Sequence, residues 1–386
     1  MSDVIYFDNA ATSWPKPPVV TARMKAFLDS ESANPGRAGH RMAVAAEKML
    51  DGVRKQLTDF VGGTDLHRMI FAMNATDALN IAFKGILRQG DHVITTALEH
   101  NSVSRPLVAM AEQGFITLTR IGFSPETGVI DPDDVKKAIT PQTKLIAMTH
   151  GSNVVGTVQP IEAVGKIARA HNIRFLVDGA QTIGVVPIHV QKQYIDLLAF
   201  PGHKSLLGPT GTGALYVNTG LDIPDFEPFR EGGTGGDSSS PTMPRQFPYF
   251  LEGGTPNTVG IAGLGAAVEY VTKHDPAKTL AHERAQVQAI IDAISSNPKF
   301  TIHGPKSAAN RVGTLSISIE GYTPQEAGSI LDESFSIAVR PGLHCSPYAH
   351  KAIGTFPDGA LRISPGHFNT DEQLATLIDA LQQLAA

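Results

Sequence analysis

The sequence is poor in cysteine and in charged residues. It has one cysteine, Cys345, among 386 residues, and charged residues make up 18% of the chain, below the roughly 25% of a typical soluble protein. A single thiol excludes an intramolecular disulfide, and it excludes a zinc or iron–sulfur site built from several cysteines of one chain. Cys345 is therefore either inert packing or the reactive centre of the molecule.

Long apolar runs and an excess of positive charge are also missing. No segment reaches the roughly 18 consecutive apolar residues that span a bilayer, and residues 1–15 lack a basic region followed by an apolar one. The 37 acidic and 32 basic residues give a net charge of -5, which offers nucleic acid or anionic lipid no general attraction. We expect a cytoplasmic protein with no nucleic-acid partner and no membrane partner.

The hydrophobic pattern predicts an α/β fold. At roughly 150 residues per domain, the length allows two or three domains. Amphipathic segments typical of helices alternate with short apolar runs typical of buried strands. The apolar runs are 68–73, 92–95, 144–149, 174–178, 196–200 and 213–217, and the helical segments include 76–87, 101–113, 161–171 and one that begins at Asp131 and Pro132. This alternation predicts a mostly parallel sheet covered by helices on both faces.

The pattern changes after residue 265 and predicts a second, smaller α+β domain. We expect the large domain to span 15–265, and the small domain to comprise 1–14 and 266–386. The predicted elements of the second part are helices at 266–274, 276–295, 324–333 and from Asp371 onward, and strands at 313–319 and 336–339. The stretch 232–240, with four glycines and three serines, predicts a loop.

The most informative pair of residues is Asp178 and Lys204. Each follows a predicted buried strand, and the carboxyl ends of such strands line one crevice in an open α/β sheet. A structural ion pair is one interpretation. The other is a pyridoxal phosphate site, which needs a lysine for the Schiff base and a carboxylate to keep the pyridinium nitrogen protonated.

The sequence resembles the class V aminotransferase group of pyridoxal-phosphate enzymes and, within it, the cysteine desulfurases. The resemblance covers nearly the whole chain, and it depends on the order and spacing of several short motifs. These are residues 6–12, 74–80, 99–102, 152–156, 178–181, 202–204, 253–257 and 340–345. It implies a fold-type-I pyridoxal-phosphate-dependent transferase, with a seven-stranded, mostly parallel sheet in the large domain and a smaller α+β C-terminal domain.

The resemblance assigns the residues around the cofactor ring. Lys204 matches the Schiff-base lysine, and its released amine is the natural base at the substrate α-carbon. Asp178 would pair with the ring nitrogen and Gln181 with the phenolic oxygen. His100 matches a histidine that stacks on the ring and shuttles protons.

Other matched residues would hold the cofactor phosphate. Ala75 and Thr76 open a predicted helix, whose N-terminal amides and dipole favour an anion, and His203 adds a side-chain donor. Pro201 stands where relatives usually have a serine or threonine that contacts the phosphate, and proline offers neither a hydroxyl nor an amide hydrogen. Thr255 matches a residue that reaches the phosphate of the neighbouring subunit, which implies a homodimer.

Asn153 and Arg362 match contacts to the substrate carboxylate, and Asn153 is also among the residues expected around the cofactor. Only arginine offers the rigid fork that holds a carboxylate at two points. Arg362 lies in an alternating, strand-like pattern, so a surface ion pair across two strands is the alternative.

Cys345 distinguishes between the possible reactions. Residue type alone favours inert packing, but the preceding segment from Arg340 to His344 is rich in turn formers and cationic residues, a setting that exposes a thiol and favours the thiolate. In desulfurase chemistry this thiolate attacks the sulfur of bound cysteine, which yields an enzyme persulfide and alanine. The segment resembles the second desulfurase group, whose nucleophile sits on a tight loop and has little reach.

The predicted function is therefore conversion of L-cysteine to L-alanine with transfer of sulfur to Cys345, and from there to an acceptor that can be a protein. Three alternatives stay open among enzymes. They are a selenocysteine lyase acting on L-selenocysteine, a cysteine or cystine lyase that needs no protein thiol, and an aminotransferase. An alternative outside enzymes is a cofactor-bearing partner of low activity in a sulfur-trafficking assembly.

Overall fold

The computed structural model describes residues 4–36, 39–237 and 239–386. The strands, in chain order, are β1 Ile5–Tyr6, β2 Met69–Ala72, β3 Asp91–Thr96, β4 Ile116–Ile121, β5 Thr143–Thr149, β6 Arg174–Asp178, β7 Leu197–Pro201, β8 Gly213–Val217, β9 Phe300–His303, β10 Leu315–Ile319, β11 Ile337–Ala338, β12 Arg340–Gly342 and β13 Ala360–Ile363. The helices are α1 Pro18–Ser30, α2 Arg41–Phe60, α3 Ala75–Ile86, α4 Asn101–Glu112, α5 Pro132–Lys137, α6 Ile161–Ala170, α7 Thr258–Lys273, α8 Pro276–Ile294, α9 Pro324–Phe335, α10 Pro347–Ala352 and α11 Asp371–Leu384.

The central sheet has seven strands in the order β2-β8-β7-β6-β5-β3-β4. All neighbouring pairs from β7 to β4 are parallel, and β8 runs antiparallel to both β7 and β2. The predicted α/β class with a mostly parallel sheet is confirmed. The strand order places the carboxyl ends of β5, β6 and β7 side by side. In open α/β sheets, ligands bind in the crevice at these carboxyl ends.

Apolar side chains cover both faces of this sheet. Along β3, Val93 packs in one apolar cluster with Phe83 of α3, whereas its neighbour Ile94 packs in another with Leu57 of α2. Successive residues of a strand point to opposite faces, so both faces of the sheet are buried. This explains why these strands show continuous apolar runs instead of alternation.

A second sheet is antiparallel, with the order β12-β13-β10-β9. It shares an apolar cluster with α8, α9 and α11, and Phe7 near the N-terminus belongs to the same cluster. The short β1 pairs with β11 in parallel, so residues 5–6 are hydrogen-bonded to a strand in the last third of the chain. The division at residues 14 and 265 stays a prediction.

Helix α7 differs from its predicted bounds. It begins at Thr258, eight residues before the predicted start at 266, and so crosses residue 265. The stretch 232–240 contains neither helix nor strand among its described residues, and Ser238 lies outside them. Across the described ranges, no helix has both the length and the apolar character that a membrane span requires.

Candidate active site

A cavity of about 210 Å³ lies at the carboxyl ends of the central strands. Ten of the eleven predicted site residues line it. They are Ala75, Thr76, His100, Asn153, Asp178, Gln181, His203, Lys204, Cys345 and Arg362. They come from the starts of α3 and α4, the ends of β5, β6 and β7, strand β13 and the turn between β12 and α10, so the fold brings together residues spread over most of the chain.

Asp178 and Lys204 both line this cavity, but no hydrogen bond or ion pair joins them. Asp178 is the last residue of β6, is 3% exposed, and accepts a hydrogen bond from the amide of Ala180 at 2.9 Å. Burial raises the pKa of Asp178, while this hydrogen bond and the charge of Lys204 oppose the shift. Burial lowers the pKa of Lys204 to about 8, against the attraction of Asp178. The simple ion-pair interpretation is therefore not what the structure shows.

His100 caps the N-terminus of α4. Its Nδ1 accepts a hydrogen bond from the amide of Ser102 at 3.1 Å, and the Ser102 hydroxyl lies 2.8 Å from the same nitrogen. Burial, and then the charges of Lys204, Arg340 and other arginines, lower the pKa of His100 to about 3. The imidazole is thus neutral with its proton on Nε2, since Nδ1 is occupied as an acceptor.

The start of α3 offers unpaired backbone donors to the cavity. Asn74 caps the helix by accepting from the amide of Asp77 at 2.9 Å. The amides of Ala75 and Thr76, the first two helical residues, have no partner among the described residues, as expected at a helix N-terminus. The Thr76 hydroxyl lies 2.6 Å from that of Ser102. These groups form an anion-binding end of the cavity.

His203 and Gln181 both form hydrogen bonds with the N-terminal segment. His203 Nδ1 lies 3.0 Å from the Thr12 hydroxyl, and burial lowers its pKa to about 4. Gln181 donates through Nε2 to the carbonyl of Ala10 at 3.1 Å, which leaves its second N–H for another acceptor. Pro201, the last residue of β7, also lines the cavity.

Arg362 lies in β13 and is 2% exposed. It donates through Nη2 to the carboxylate of Asp8 at 2.7 Å and through Nη1 to the carbonyl of Asn153 at 3.2 Å. Its Nε is buried and has no partner among the described residues. An arginine this buried is no surface pair, and an unpaired buried donor indicates an acceptor that comes with a ligand.

Cys345 lies in a tight turn between β12 and α10. The turn places two successive residues in the left-handed region, with φ of 48° for His344 and 59° for Cys345, where residues other than glycine are strained. Asn153 holds the turn, because its Nδ2 donates to the carbonyl of His344 at 2.6 Å and its Oδ1 accepts from Ser346 at 2.8 Å. Asn101 donates its amide to the carbonyl of Cys345 at 2.7 Å.

Comparison with known proteins agrees with this geometry. The model of the family described as aminotransferase class-V matches residues 5–377. A probable cysteine desulfurase of Methanothermobacter thermautotrophicus is 33% identical over 100% of this chain and 96% of its own. A cysteine desulfurase of Salmonella dublin is 31% identical over 98% of this chain and 93% of its own. The apo structure of a cysteine desulfurase from Thermococcus onnurineus NA1 superposes with a TM-score of 0.92, at 31% identity over 100% of this chain and 95% of its own.

The chain belongs to the class V aminotransferases. The predicted family and fold type are thereby confirmed, and the family implies pyridoxal phosphate as its cofactor. The cavity of this class V aminotransferase fits that group. A lysine amine and a buried carboxylate line it together, unpaired amides open α3 at one end, and the unpaired Nε of Arg362 is available for a carboxylate.

Thr255 is the one predicted residue outside the cavity. It is exposed and lines a separate pocket with Met73, Gly211 and Arg230. Thr255 therefore does not line the active-site cavity of its own chain. The predicted contact with the phosphate of a neighbouring subunit stays a prediction.

Four residues of the site were missed from the sequence. Arg340 and Ser102 line the cavity, His344 lines it beside Cys345, and Asp8 neutralises Arg362. Arg340 and His344 lie inside the motif that contains Cys345, so their position could have suggested them. The role of Asp8 depends on a contact with a residue 354 positions away, which no local pattern reveals.

Proposed function

We propose that this protein is a pyridoxal-phosphate-dependent cysteine desulfurase, which takes sulfur from L-cysteine, releases L-alanine and carries the sulfur as a persulfide on Cys345. The observation that carries the proposal is that the lone thiol of the chain lines the same cavity as Lys204 and Asp178. An aminotransferase has no task for a thiol at this place. The named relatives support the same activity.

Pyridoxal phosphate, when bound, supplies a ring that accepts electrons from the substrate α-carbon. Asp178 would hold the ring nitrogen, and the amides of Ala75 and Thr76 would hold the phosphate together with His203. The Lys204 amine, with its pKa near 8, can both release and accept a proton at Nζ close to neutral pH. His100 is neutral and presents an Nε2 proton.

Arg362 would bind the substrate carboxylate. Its Nη2 is engaged with Asp8, so the free Nε and the remaining N–H groups are the donors that a carboxylate can use. One N–H and the oxygen of the Asn153 side chain form hydrogen bonds to the turn around Cys345. The second N–H is therefore left for the ligand. Asn153 would therefore both contact the substrate and help to hold the thiol in place.

The Cys345 thiolate would be the nucleophile of the sulfur transfer. The thiolate attacks the substrate sulfur, the S–S bond forms as the C–S bond breaks, and the electron pair of the C–S bond stays with the alanine skeleton. A proton then completes alanine. Arg340 and Arg362 line the cavity with Cys345 and provide positive charge near the attacking sulfur.

The decisive experiment measures alanine release from L-cysteine by wild type and by Cys345→Ser, with a thiol reductant present. We expect the variant to lose most of the activity while it still binds the cofactor, as judged by absorbance. Mass spectrometry of the wild type should find an addition of about 32 Da, one sulfur atom, on the peptide containing Cys345. The signal is unambiguous because no second cysteine exists in the chain.

Other outcomes would assign other functions. Full turnover by Cys345→Ser would indicate a cysteine or cystine lyase, and turnover that needs an added keto acid would indicate an aminotransferase. A much higher rate with L-selenocysteine would favour a selenocysteine lyase. A wild type that binds cofactor but consumes neither L-cysteine, L-cystine nor L-selenocysteine, with or without an added keto acid, would leave only a sulfur-trafficking partner.

The proposal includes a cytoplasmic homodimer that passes sulfur to an external acceptor. Supporting a dimer, large apolar side chains of the N-terminal region are exposed, among them Trp14, Leu28 and Met42. If Thr255 serves the partner subunit, a mixture of Lys204→Ala and Thr255→Ala chains should recover activity, because a hybrid dimer then contains one intact site. An acceptor is needed because the chain has no second thiol to resolve the persulfide.

A further inference from the structure

A row of three side chains runs from the turn around Cys345 into the protein. His344 Nε2 lies 3.0 Å from the carbonyl of Arg340, and His344 Nδ1 lies 3.2 Å from His350 Nε2. His350 Nδ1 lies in turn 2.7 Å from the hydroxyl of Thr355. His344 is 4% exposed and His350 is fully buried, so water does not supply alternative partners.

The protons in this row have a single consistent arrangement. The carbonyl of Arg340 can only accept, so His344 carries its proton on Nε2, and its Nδ1 is an acceptor. His350 must then donate from Nε2 to His344, which leaves its Nδ1 to accept from the Thr355 hydroxyl. Every polar atom of both rings is satisfied in this arrangement, as buried polar groups require.

Both rings are neutral in this row. Burial is the main cause that lowers the pKa of His350 to about 4, and the neighbouring His303 and Arg362 lower it further. Burial and Arg362 lower the pKa of His344 in the same direction. The row therefore acts through hydrogen-bond geometry, and it brings no charge of its own to Cys345.

The row supports the strained part of the turn. His344 and Cys345 both have left-handed backbone conformations, which persist only where surrounding contacts over-determine them. Asn153 donates to the carbonyl of His344, and the amide of Asn101 donates to the carbonyl of Cys345. The imidazole of His344 adds a third, side-chain anchor to the same turn, through the row that ends at Thr355.

We propose that His350 is a positioning residue for Cys345: through His344 and with Thr355 it holds the turn in the conformation that presents the thiol to the cavity. The kinetic part of this proposal rests on the proposed desulfurase function. The structural part does not, and it can be measured without substrate.

The test uses pairs of variants of the full-length, cofactor-loaded enzyme. His350→Leu removes the donor to His344, whereas His350→Gln places an amide N–H near the position of Nε2. Thr355→Val removes the donor to His350 and permits the other tautomer, whereas Thr355→Ser keeps the hydroxyl. His92→Gln is the matched control, because His92 is a buried histidine of β3 whose hydrogen bonds go to Thr143 and Thr119, outside the row.

We expect His350→Leu to lower kcat for alanine formation roughly 10-fold or more, the change that one unsatisfied buried acceptor produces. KM should stay within about 2-fold, because Arg362 and not the row holds the substrate carboxylate. Thr355→Val should show the same pattern more weakly. His350→Gln, Thr355→Ser and His92→Gln should stay within about 3-fold of wild type.

Amide hydrogen exchange of the peptide 340–346 is the second readout, and it needs no activity. Among the variants, only His350→Leu and Thr355→Val should exchange the amides of this peptide faster than wild type. Cofactor absorbance should be unchanged in all of them. Equal losses in His350→Leu and His350→Gln, a rise in KM to match the fall in kcat, or unchanged exchange in His350→Leu would each overturn the proposal. If wild type forms no alanine, the desulfurase function fails, and the exchange measurement alone decides the role of His350.

Discussion

Glu99 offers a test of the electrostatics beneath the cavity. Its side chain is fully buried, and its Oε1 accepts from the Thr96 hydroxyl at 2.6 Å and from the Thr149 amide at 3.1 Å. Its Oε2 has no partner among the described residues. Burial, with a contribution from nearby Asp178, raises the pKa of Glu99 from 4.5 to about 8. Near neutral pH the folded protein holds this carboxyl protonated.

The pH dependence of stability follows from this shift. Between pH 4.5 and 8 the unfolded chain releases the Glu99 proton and the folded protein keeps it, so the free energy of unfolding falls as pH rises. Well inside this window, each rise of one pH unit lowers the free energy of unfolding by about 1.36 kcal/mol, the general energy equivalent of one pKa unit. From pH 6 to pH 8 the loss is about 2.3 kcal/mol, because the group is half ionised at its own pKa.

Glu99→Gln should remove this dependence. Glutamine keeps the shape and the oxygen that accepts from Thr96 and Thr149, and it has no proton to lose. Urea unfolding of both proteins without cofactor, at pH 6, 7 and 8, should show the stability of the variant relative to wild type increasing by about 2.3 kcal/mol across the range. Glu283→Gln is the matched control for burial, since the pKa of Glu283 is also raised to about 8 away from this cavity.

Parallel pH curves for wild type and Glu99→Gln would refute the reasoning, because they would show that Glu99 ionises in the folded protein as freely as in the unfolded chain. The Glu283→Gln curve then indicates where the error lies. If the stability of Glu283→Gln relative to wild type changes with pH and that of Glu99→Gln does not, a cation compensates the charge of Glu99. Arg120 is the candidate, because its charge lowers the pKa of Glu99.

Three further predictions concern the ligands of the cavity. Arg362→Lys should raise KM for L-cysteine about 10-fold or more with a smaller change in kcat, since lysine cannot hold a carboxylate at two points; an unchanged KM would place the carboxylate elsewhere. Asp8→Asn should lower the free energy of unfolding by about 2 kcal/mol, because Arg362 is left as a buried cation without its counter-ion. L-alanine should raise the melting temperature of Asp8→Asn more than that of wild type, and equal shifts would contradict the pairing. Pro201→Ser should tighten cofactor binding about 5-fold in an absorbance titration, the value of one added hydrogen bond, and an unchanged Kd would show that position 201 does not reach the phosphate.

Six of the seven central strands were predicted, because burial on both faces leaves little choice of side chain. The seventh, β4, was missed because it is an edge strand whose middle residues are partly exposed, so it lacks a continuous apolar run. The start of α7 was also missed, since its first turns contain Gly260, Gly263 and Gly265, which resemble a loop in sequence. In the structure these glycines allow close packing. A Cβ on Gly263 would lie 2.7 Å from Met24 of α1, and one on Gly265 would lie 2.6 Å from Val53 of α2. A tertiary contact overrides the local propensity here.

The members of the site were predictable, and their mutual contacts were not. Strand ends and motif order located ten of eleven residues, because a parallel sheet brings its carboxyl ends together whatever the rest of the chain does. The use of the Asn153 amide to hold the Cys345 turn depends on the C-terminal sheet packing against the central one. Contacts of this kind depend on tertiary packing, which has no local sequence signal.

In the proposed function, the contacts around Cys345 would also constrain how sulfur leaves the enzyme. Backbone and side-chain hydrogen bonds from Asn101, Asn153 and His344 hold the turn on several sides, so the thiol has little freedom to swing out of the cavity. A persulfide formed there would be half-buried, as the thiol is. Since no second cysteine of the chain can take the sulfur, an acceptor thiol would have to enter the cavity mouth. Small thiols or a narrow, extended segment of a partner protein meet that requirement, whereas a thiol on a flat protein surface does not.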